Sequence, residues 1–413
     1  GLGDVYKRQE YSLFFKYNTI ELSSQIIESV LIKRGNMRIG IIAEFNPLHS
    51  GHKYLIDQAK NIIEKNGGGE IVCVMSEFFT QRGEVAIVDG YIRAAEAVRA
   101  GCDMVIALPY LASVAYSDDF AKKSIEILSN SGITHLIFGT EDTSIETFEE
   151  IYNKQQKITE VQYRELLKQG YNFATINSKI LGLQNDIPNF ILAYSYYKNI
   201  RKYAPHIKLL PVKREGQGLN KEEVEDKQFL SATAIRKNID NSVVSNYLSK
   251  EMIENIRASK ILSEEDFFDL IKYKILSLGK VGLKNIYDVN EGLENRIYDM
   301  ANIADNYQEL VNSISTKRYS KKKIQRILLH ILTNTTKADY NEFFGTKVFR
   351  ILAAKEDKAS IIREINNQSN ITLVPVLNSK TSGYFVHDIK VSRIYNLKAQ
   401  QEDIFRKNII LIK

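Results

Sequence analysis

Two cysteines in 413 residues are too few to build a disulfide framework. Cys73 and Cys102 both sit in apolar surroundings and read as buried thiols, the usage of a reducing cytoplasm. Long apolar runs are missing as well. No stretch is long enough to span a bilayer, the opening residues show no secretory pattern, and no membrane partner is expected. Internal repeats and low-complexity segments are absent, which excludes a solenoid. The chain also lacks a strong overall charge, at +6. That small excess is uneven: residues 1–240 hold 29 basic and 30 acidic residues, whereas residues 241–413 hold 27 and 20. The surplus lies in the C-terminal part and hints at a polyanionic partner there. What remains, 44% hydrophobic and 26% charged residues, is the composition of a globular chain with room for two or three domains.

The most informative passage runs from Met37 to Tyr54. Ile39, Ile41 and Ile42 form a short β-branched run that predicts a buried strand. Asn46 and Pro47 end it, because proline has no N–H for a ladder and suits a turn. His49, Ser50, Gly51 and His52 follow, and then the helix-spaced Leu55, Ile56, Ala59, Ile62 and Ile63. Two histidines therefore stand where a strand gives way to a helix, whose N-terminus offers unpaired N–H groups to a phosphate. Gly51 leaves room for a nucleotide to approach the backbone. Imidazoles three apart can both meet an α-phosphate and stabilise the charge that develops as pyrophosphate leaves. Zinc would want further His, Cys or acidic ligands, and the motif offers none, so no metal site is assigned.

Residues 1–36 precede the first methionine and read as a leader or a cloning scar, so the fold argument starts at Met37. From there strands and helices alternate. Ile71–Met75, Met104–Leu108, Leu136–Phe138 and Ile207–Val212 are expected strands. Tyr91–Ala100, Ser117–Ser129, about Ile158–Lys168 and Phe190–Tyr203 are expected helices. This is the pattern of an α/β, Rossmann-like domain with a mostly parallel sheet, whose ligands bind beyond the carboxyl ends of the strands. Near residue 240 the texture turns helical, over Ser263–Leu278, Leu293–Ile303, Tyr307–Ile314 and Lys322–Leu332, with Ile371–Leu377 a lone strand. The division expected is 37–240 for an ATP-binding domain and 241–413 for a mainly helical, basic one.

Other groups are less specific. Gln81, Arg82 and Gly83 follow the second strand and can point donors at the same rim, or form an ordinary surface loop. Gly139 closes another strand, as a close-approach or a simple turn glycine. Asn189 starts a helix, which capping alone explains, and Arg214 suits either a phosphate or solvent. Ser231 and Thr233 at a helix N-terminus, with Arg236 one turn on, suit the β- and γ-phosphates of ATP. Lys317, Arg318, Lys321, Lys322 and Lys323, with Tyr319 and Arg326 among them, form a basic cluster at a helix start. It fits either RNA backbone contact or a solvated helix end.

His49-Ser50-Gly51-His52 resembles the HxGH signature of the nucleotidyltransferase superfamily. Taken with Gly40 to Pro47, Gln81-Arg82-Gly83-Glu84, Phe138-Gly139-Thr140-Glu141, Pro188 to Leu192, Lys213-Arg214, Ser231 to Arg236, Glu291-Gly292-Leu293-Glu294-Asn295-Arg296 and Thr316 to Tyr319, the ordered set resembles the tRNA(Met) cytidine acetate ligase family from Met37 nearly to the C-terminus. The resemblance implies a cytoplasmic enzyme that makes acetyl-adenylate from ATP and acetate. The acetyl group then passes to the wobble cytidine of elongator tRNA(Met), giving N4-acetylcytidine. By position, it implies ATP binding by Ile42-Ala43-Glu44-Phe45-Asn46-Pro47-Leu48-His49-Ser50-Gly51-His52-Lys53-Tyr54-Leu55, Gly139, Asn189 and Arg214, with His49 and His52 catalytic. The basic helical part would hold the tRNA, and magnesium is expected on the phosphates.

Three positions depart from the pattern: Glu77 in place of a glycine, Val85 in place of a proline, and Ala107 in place of an acidic residue. A Glu77 facing the phosphates would repel them. Two other readings stand beside this one. The first is a different adenylyltransferase acting on a small phosphorylated substrate; the second is a non-catalytic RNA-binding relative. The sequence leaves the oligomeric state open.

Overall fold

A computed structural model describes residues 37–157, 188–214, 229–290, 292–343 and 345–413, with positions 165 and 169. The leader at 1–36, the helix expected at 158–168 (apart from position 165) and Glu291 lie outside the described residues.

The chain enters the fold through a central strand. β1 (Met37–Ala43) lies between β2 (Gly69–Ser76) and β4 (His135–Thr140), with β3 (Met104–Leu108) beyond β2 and β5 (Lys208–Lys213) beyond β4, all parallel. Ile39, Ile41, Ile71 to Met75, Val105 and Ile137 are buried, as strands covered on both faces must be. The covering helices include α1 (Ser50–Lys65), α2 (Gly90–Ala100), α3 (Tyr110–Ser113), α4 (Ser117–Asn130), α5 (Ile145–Gln156) and α6 (Pro188–Tyr203). The strand order reverses between β1 and β4, and at such a switch point the connections leave to opposite faces and open a crevice at the carboxyl ends.

After β5 the described chain is helical up to residue 343. α7 (Ala232–Lys237) and α8 (Lys250–Ala258) lead to α9 (Phe268–Leu283), which packs on α10 (Leu293–Ile303) and α12 (Lys321–Leu332). α11 (Tyr307–Ile314) fills the space beside α10 and α12, and α13 (Lys337–Phe343) follows. From Arg326 to Leu332 every residue of α12 is buried, so only its basic first turn reaches the surface.

The chain then returns to the sheet. β6 (Val348–Lys355) adds antiparallel to β3, and β7 (Thr372–Val374) and β8 (Ile410–Ile412) run parallel to β6, with α14 (Ser360–Gln368) and α15 (Val386–Ala399) between them. The expected lone strand is β7, and β6 and β8 are additional. One sheet thus runs through both parts of the chain. Among the described residues no helix is long and apolar enough to cross a membrane.

Candidate active site

The turn between β1 and α1 is set by hydrogen bonds of its own histidines. His49 is the N-cap of α1 and its Nδ1 accepts the Gly51 N–H at 3.1 Å. Three residues on, the His52 Nδ1 accepts the His49 N–H at 3.4 Å. Together they close a capping box, with histidine in both places usually held by Ser or Thr and Glu. The rings lie 3.9 Å apart between centroids, tilted by 34°. A Cβ at Gly51 would come within 3.0 Å of the His49 Cε1, so the ring needs a glycine there. The Ser50 Oγ is buried without a protein partner at the first position of α1.

Electrostatics fix the state of both rings. Burial holds the His49 imidazole well below its usual range, and His52, Arg214 and Arg236 add to the effect. Burial and then Arg214 bring His52 down to about 3, against an upward pull from the Pro47 carbonyl. Both rings are neutral at pH 7, and with each Nδ1 accepting, the single ring proton sits on Nε2. The site therefore presents two neutral imidazoles, the His52 ring also within reach of the Pro47 carbonyl.

Gly139 closes β4 across the switch point, and the Arg214 side chain lies over it, with Cγ 3.2 Å from where a Cβ would stand. Arg214 donates to the Asn189 Oδ1 at 3.4 Å, and Asn189 donates to the Glu141 Oε1 at 2.5 Å. Burial lowers the Arg214 pKa and Arg82 adds to this, while Glu141 opposes it. Glu44 is half-buried and accepts the Gln81 N–H at 2.6 Å; desolvation pushes its carboxyl upward.

The structure brings Glu44, His49, Ser50, Gly51, His52, Gly139, Asn189, Arg214 and Arg236 to one rim. Other expected residues have different work. The Asn46 side chain holds the next loop, donating to the Val85 carbonyl at 3.1 Å and accepting the Ile87 N–H at 2.9 Å. Lys53 pairs with Asp57 on the exposed face of α1, and Tyr54 packs its ring 5.5 Å from Phe229. Ile42 and Ala43 are half-buried at the end of β1; Phe45 and Leu48 are buried in the core, and Leu55 packs against it. Ser231 is buried and caps α7 by accepting the Ala234 N–H at 3.0 Å, and the Thr233 Oγ1 lies 3.5 Å from Arg236.

The basic cluster divides. Lys317, Arg318 and Lys321 are exposed, and the Arg318 guanidinium lies 5.6 Å from the Tyr319 ring. Lys323 bonds Asp288 at 2.6 Å, and Lys322 reaches back to Glu84 at 2.8 Å. Arg326 is buried, 3.4 Å from the Gln81 carbonyl.

Glu77 does not face the rim. It is buried against Arg350 of β6, which also contacts the Tyr91 hydroxyl at 3.3 Å. Its charge is met away from the rim, so the expected conflict with phosphates is removed.

Arg93 was not anticipated as a site residue. Fully buried on α2, it donates to the carbonyls of Glu44, Ser76, Glu77 and Val88, tying the ends of β1 and β2 together beneath the rim. An arginine among Tyr91, Ala94, Ala95 and Val98 on an apolar helix face was the signal available.

Comparison with known proteins places the fold and the family. The model of the HIGH Nucleotidyl Transferase family matches residues 37–408. The tRNA(Met) cytidine acetate ligase of Oceanobacillus iheyensis is 33% identical over 377 residues, covering 86% of this chain and 93% of that protein. The enzyme of the same name from Staphylococcus epidermidis is 32% identical over 372 residues, covering 88% and 96%. Two crystal structures of Thermotoga maritima TmcAL share the fold. The apo form superposes with a TM-score of 0.81 at 22% identity, covering 91% of this chain and all of that one. The form bound with alpha-thio ATP gives 0.80 at 22% identity, covering 91% and 99%.

Proposed function

The chain belongs to the tRNA(Met) cytidine acetate ligase family, within the HIGH nucleotidyl transferases, and we propose that it activates acetate with ATP and acetylates the wobble cytidine of elongator tRNA(Met). The observation that carries this reading is the pair of closely spaced, neutral histidines at the switch point. Each holds its Nδ1 on a backbone N–H and so offers an Nε2–H to the α-phosphate.

An acetate oxygen attacks the α-phosphorus, the bond to the bridging oxygen breaks, and pyrophosphate leaves with that electron pair. Negative charge gathers on the equatorial α-phosphate oxygens, where the two imidazole donors stabilise it without needing a proton. Arg214 and Arg236 supply the positive charge beside them, on the side of the leaving phosphates. The cytidine N4 amine then attacks the acetyl carbonyl carbon, and AMP departs. The amine gives up one proton as the amide forms.

Magnesium would be held through the triphosphate oxygens. The rim carboxylates are engaged, Glu44 by the Gln81 N–H and Glu84 by Arg236 and Lys322, and no cluster of three acidic, His or Cys ligands occurs among the described residues. Residues 37–240 would carry the nucleotide chemistry. Residues 241–413 would hold the tRNA, through the exposed Lys317, Arg318 and Lys321, in a cytoplasmic reaction that draws on ATP and acetate.

The test is direct. The full chain is incubated with ATP, magnesium, labelled acetate and elongator tRNA(Met), and the tRNA is digested. Labelled N4-acetylcytidine at the wobble position that disappears in His52→Ala is the expected result. Intact ATP binding with no label in the tRNA would sink the acceptor assignment.

A further inference from the structure

The loop Gln81–Glu84 is joined to two distant parts of the chain at once. The Glu84 carboxylate accepts the Arg236 Nη2 at 2.6 Å through one oxygen and the Lys322 Nζ at 2.8 Å through the other. Arg236 gives its Nη1 to the Asn46 carbonyl at 2.8 Å, three residues before His49. The Asn46 side chain closes the circuit by donating to the Val85 carbonyl at 3.1 Å. Gly83 seats the loop on α12: its φ is +76°, and a Cβ there would stand 2.7 Å from the Arg326 nitrogen. Glu84 and Arg236 each keep only 16% of their side-chain surface, and Lys322 keeps 44%.

We propose that Glu84 is a positioning residue that fixes the HxGH turn to the first turn of α12, so that Lys322 serves the nucleotide site through it. The inference rests on the reading that this turn binds ATP. Arg82, Arg236 and Lys322 bring three positive charges around one carboxylate. Without that carboxylate the three repel one another, and Arg236 is left with the Asn46 carbonyl and a long 3.5 Å contact to the Thr233 Oγ1 to orient it. A lysine that only held RNA would have no effect on ATP in the absence of RNA. A lysine that braces Glu84 must have one.

The experiment measures ATP affinity by calorimetry on the full chain with magnesium and no RNA. Amide hydrogen exchange over residues 44–52 is followed on the same proteins without ATP. Glu84→Gln is expected to weaken ATP binding about tenfold and Lys322→Ala about threefold, as charge-assisted bonds of this kind do. The double variant should be no worse than Glu84→Gln alone, because both act through one link. Exchange over 44–52 should quicken in both single variants, and Glu84→Asp should fall between wild type and Glu84→Gln. Lys322 is half-exposed, so its variant judges the idea even where Glu84→Gln folds poorly. An ATP-binding wild type whose Lys322→Ala variant matches it in both measurements overturns this proposal alone. A wild type that binds no ATP overturns the nucleotide reading with it.

Discussion

At the scale of the single residue, the site depends on a missing side chain. Gly51 occupies the first turn of α1, and an added Cβ would lie 3.0 Å from Cε1 and 3.2 Å from Nδ1 of His49. The His49 ring is held by its bond to the Gly51 N–H and by its contact with His52, so displacing it breaks the cap and the donor pair together. Alanine is nonetheless a better helix former than glycine by about 1 kcal/mol. The two effects have opposite signs, which makes Gly51→Ala informative. Its melting temperature should stay close to that of wild type, because the gain in propensity offsets the lost cap. Its rate of pyrophosphate release should fall about 10- to 100-fold, the usual cost of misplacing a reacting geometry by a fraction of an ångström. A variant that loses stability and rate in proportion would show the glycine to be a packing residue only.

At the scale of the element, strand β6 explains a position that looked wrong in the sequence. Glu77, where a glycine was expected, lies buried against Arg350 of β6, and Ala107, where an acid was expected, is in the strand between them. β3 and β6 are antiparallel with Ile106 paired to Ile351, so Ala107 and Arg350 each directly adjoin a paired residue. In this chain the carboxylate that answers Arg350 comes from the end of β2, and an acid at position 107 is the natural candidate to replace it. Glu77→Gly should cost about 3 kcal/mol in urea unfolding by leaving a buried guanidinium unpaired. Glu77→Gly with Ala107→Glu should recover at least half of that loss. If the double variant is no more stable than Glu77→Gly, the replacement idea fails.

This pair also shows where sequence reading stops. β1, the turn and α1 were legible because period, breaker and motif coincide within nineteen residues, Met37 to Leu55. β6 was not, since Val348 to Lys355 is a short apolar run with no alternation, buried along most of its length. Glu77 and Arg350 are 273 positions apart, and nothing local says which cation a buried carboxylate will meet. The same distance hid the division of labour within the basic cluster, where Lys322 and Lys323 answer carboxylates while Lys317, Arg318 and Lys321 face outward.

At the scale of the whole molecule, buried and half-buried histidines make the fold sensitive to acid. Burial brings His52 and His330 down to about 3 and His387 to about 4, and holds His49 well below its usual range. Unfolded, each titrates near 6.5. Between those values the unfolded chain binds protons that the folded chain refuses, so stability falls as pH drops below 6.5 and goes on falling toward the folded values. Glu44 and Glu264 work the other way, because burial raises their folded values above the unfolded 4.5 and their ionisation opposes folding as pH rises. Comparing one variant with wild type separates the two groups. His330 is fully buried where α3, α12 and α15 meet, its Nδ1 3.2 Å from the Tyr110 hydroxyl. Between pH 6.5 and 5 its refusal to protonate should cost about 2 kcal/mol. His330→Gln cannot take up that proton in either state. Its urea-unfolding free energy should therefore decline less steeply than that of wild type over this range, by about 1.4 kcal/mol per pH unit at the acid end. Parallel slopes would mean that His330 is reached by water in the folded protein, and that the acid sensitivity lies in the active-site pair and His387 instead.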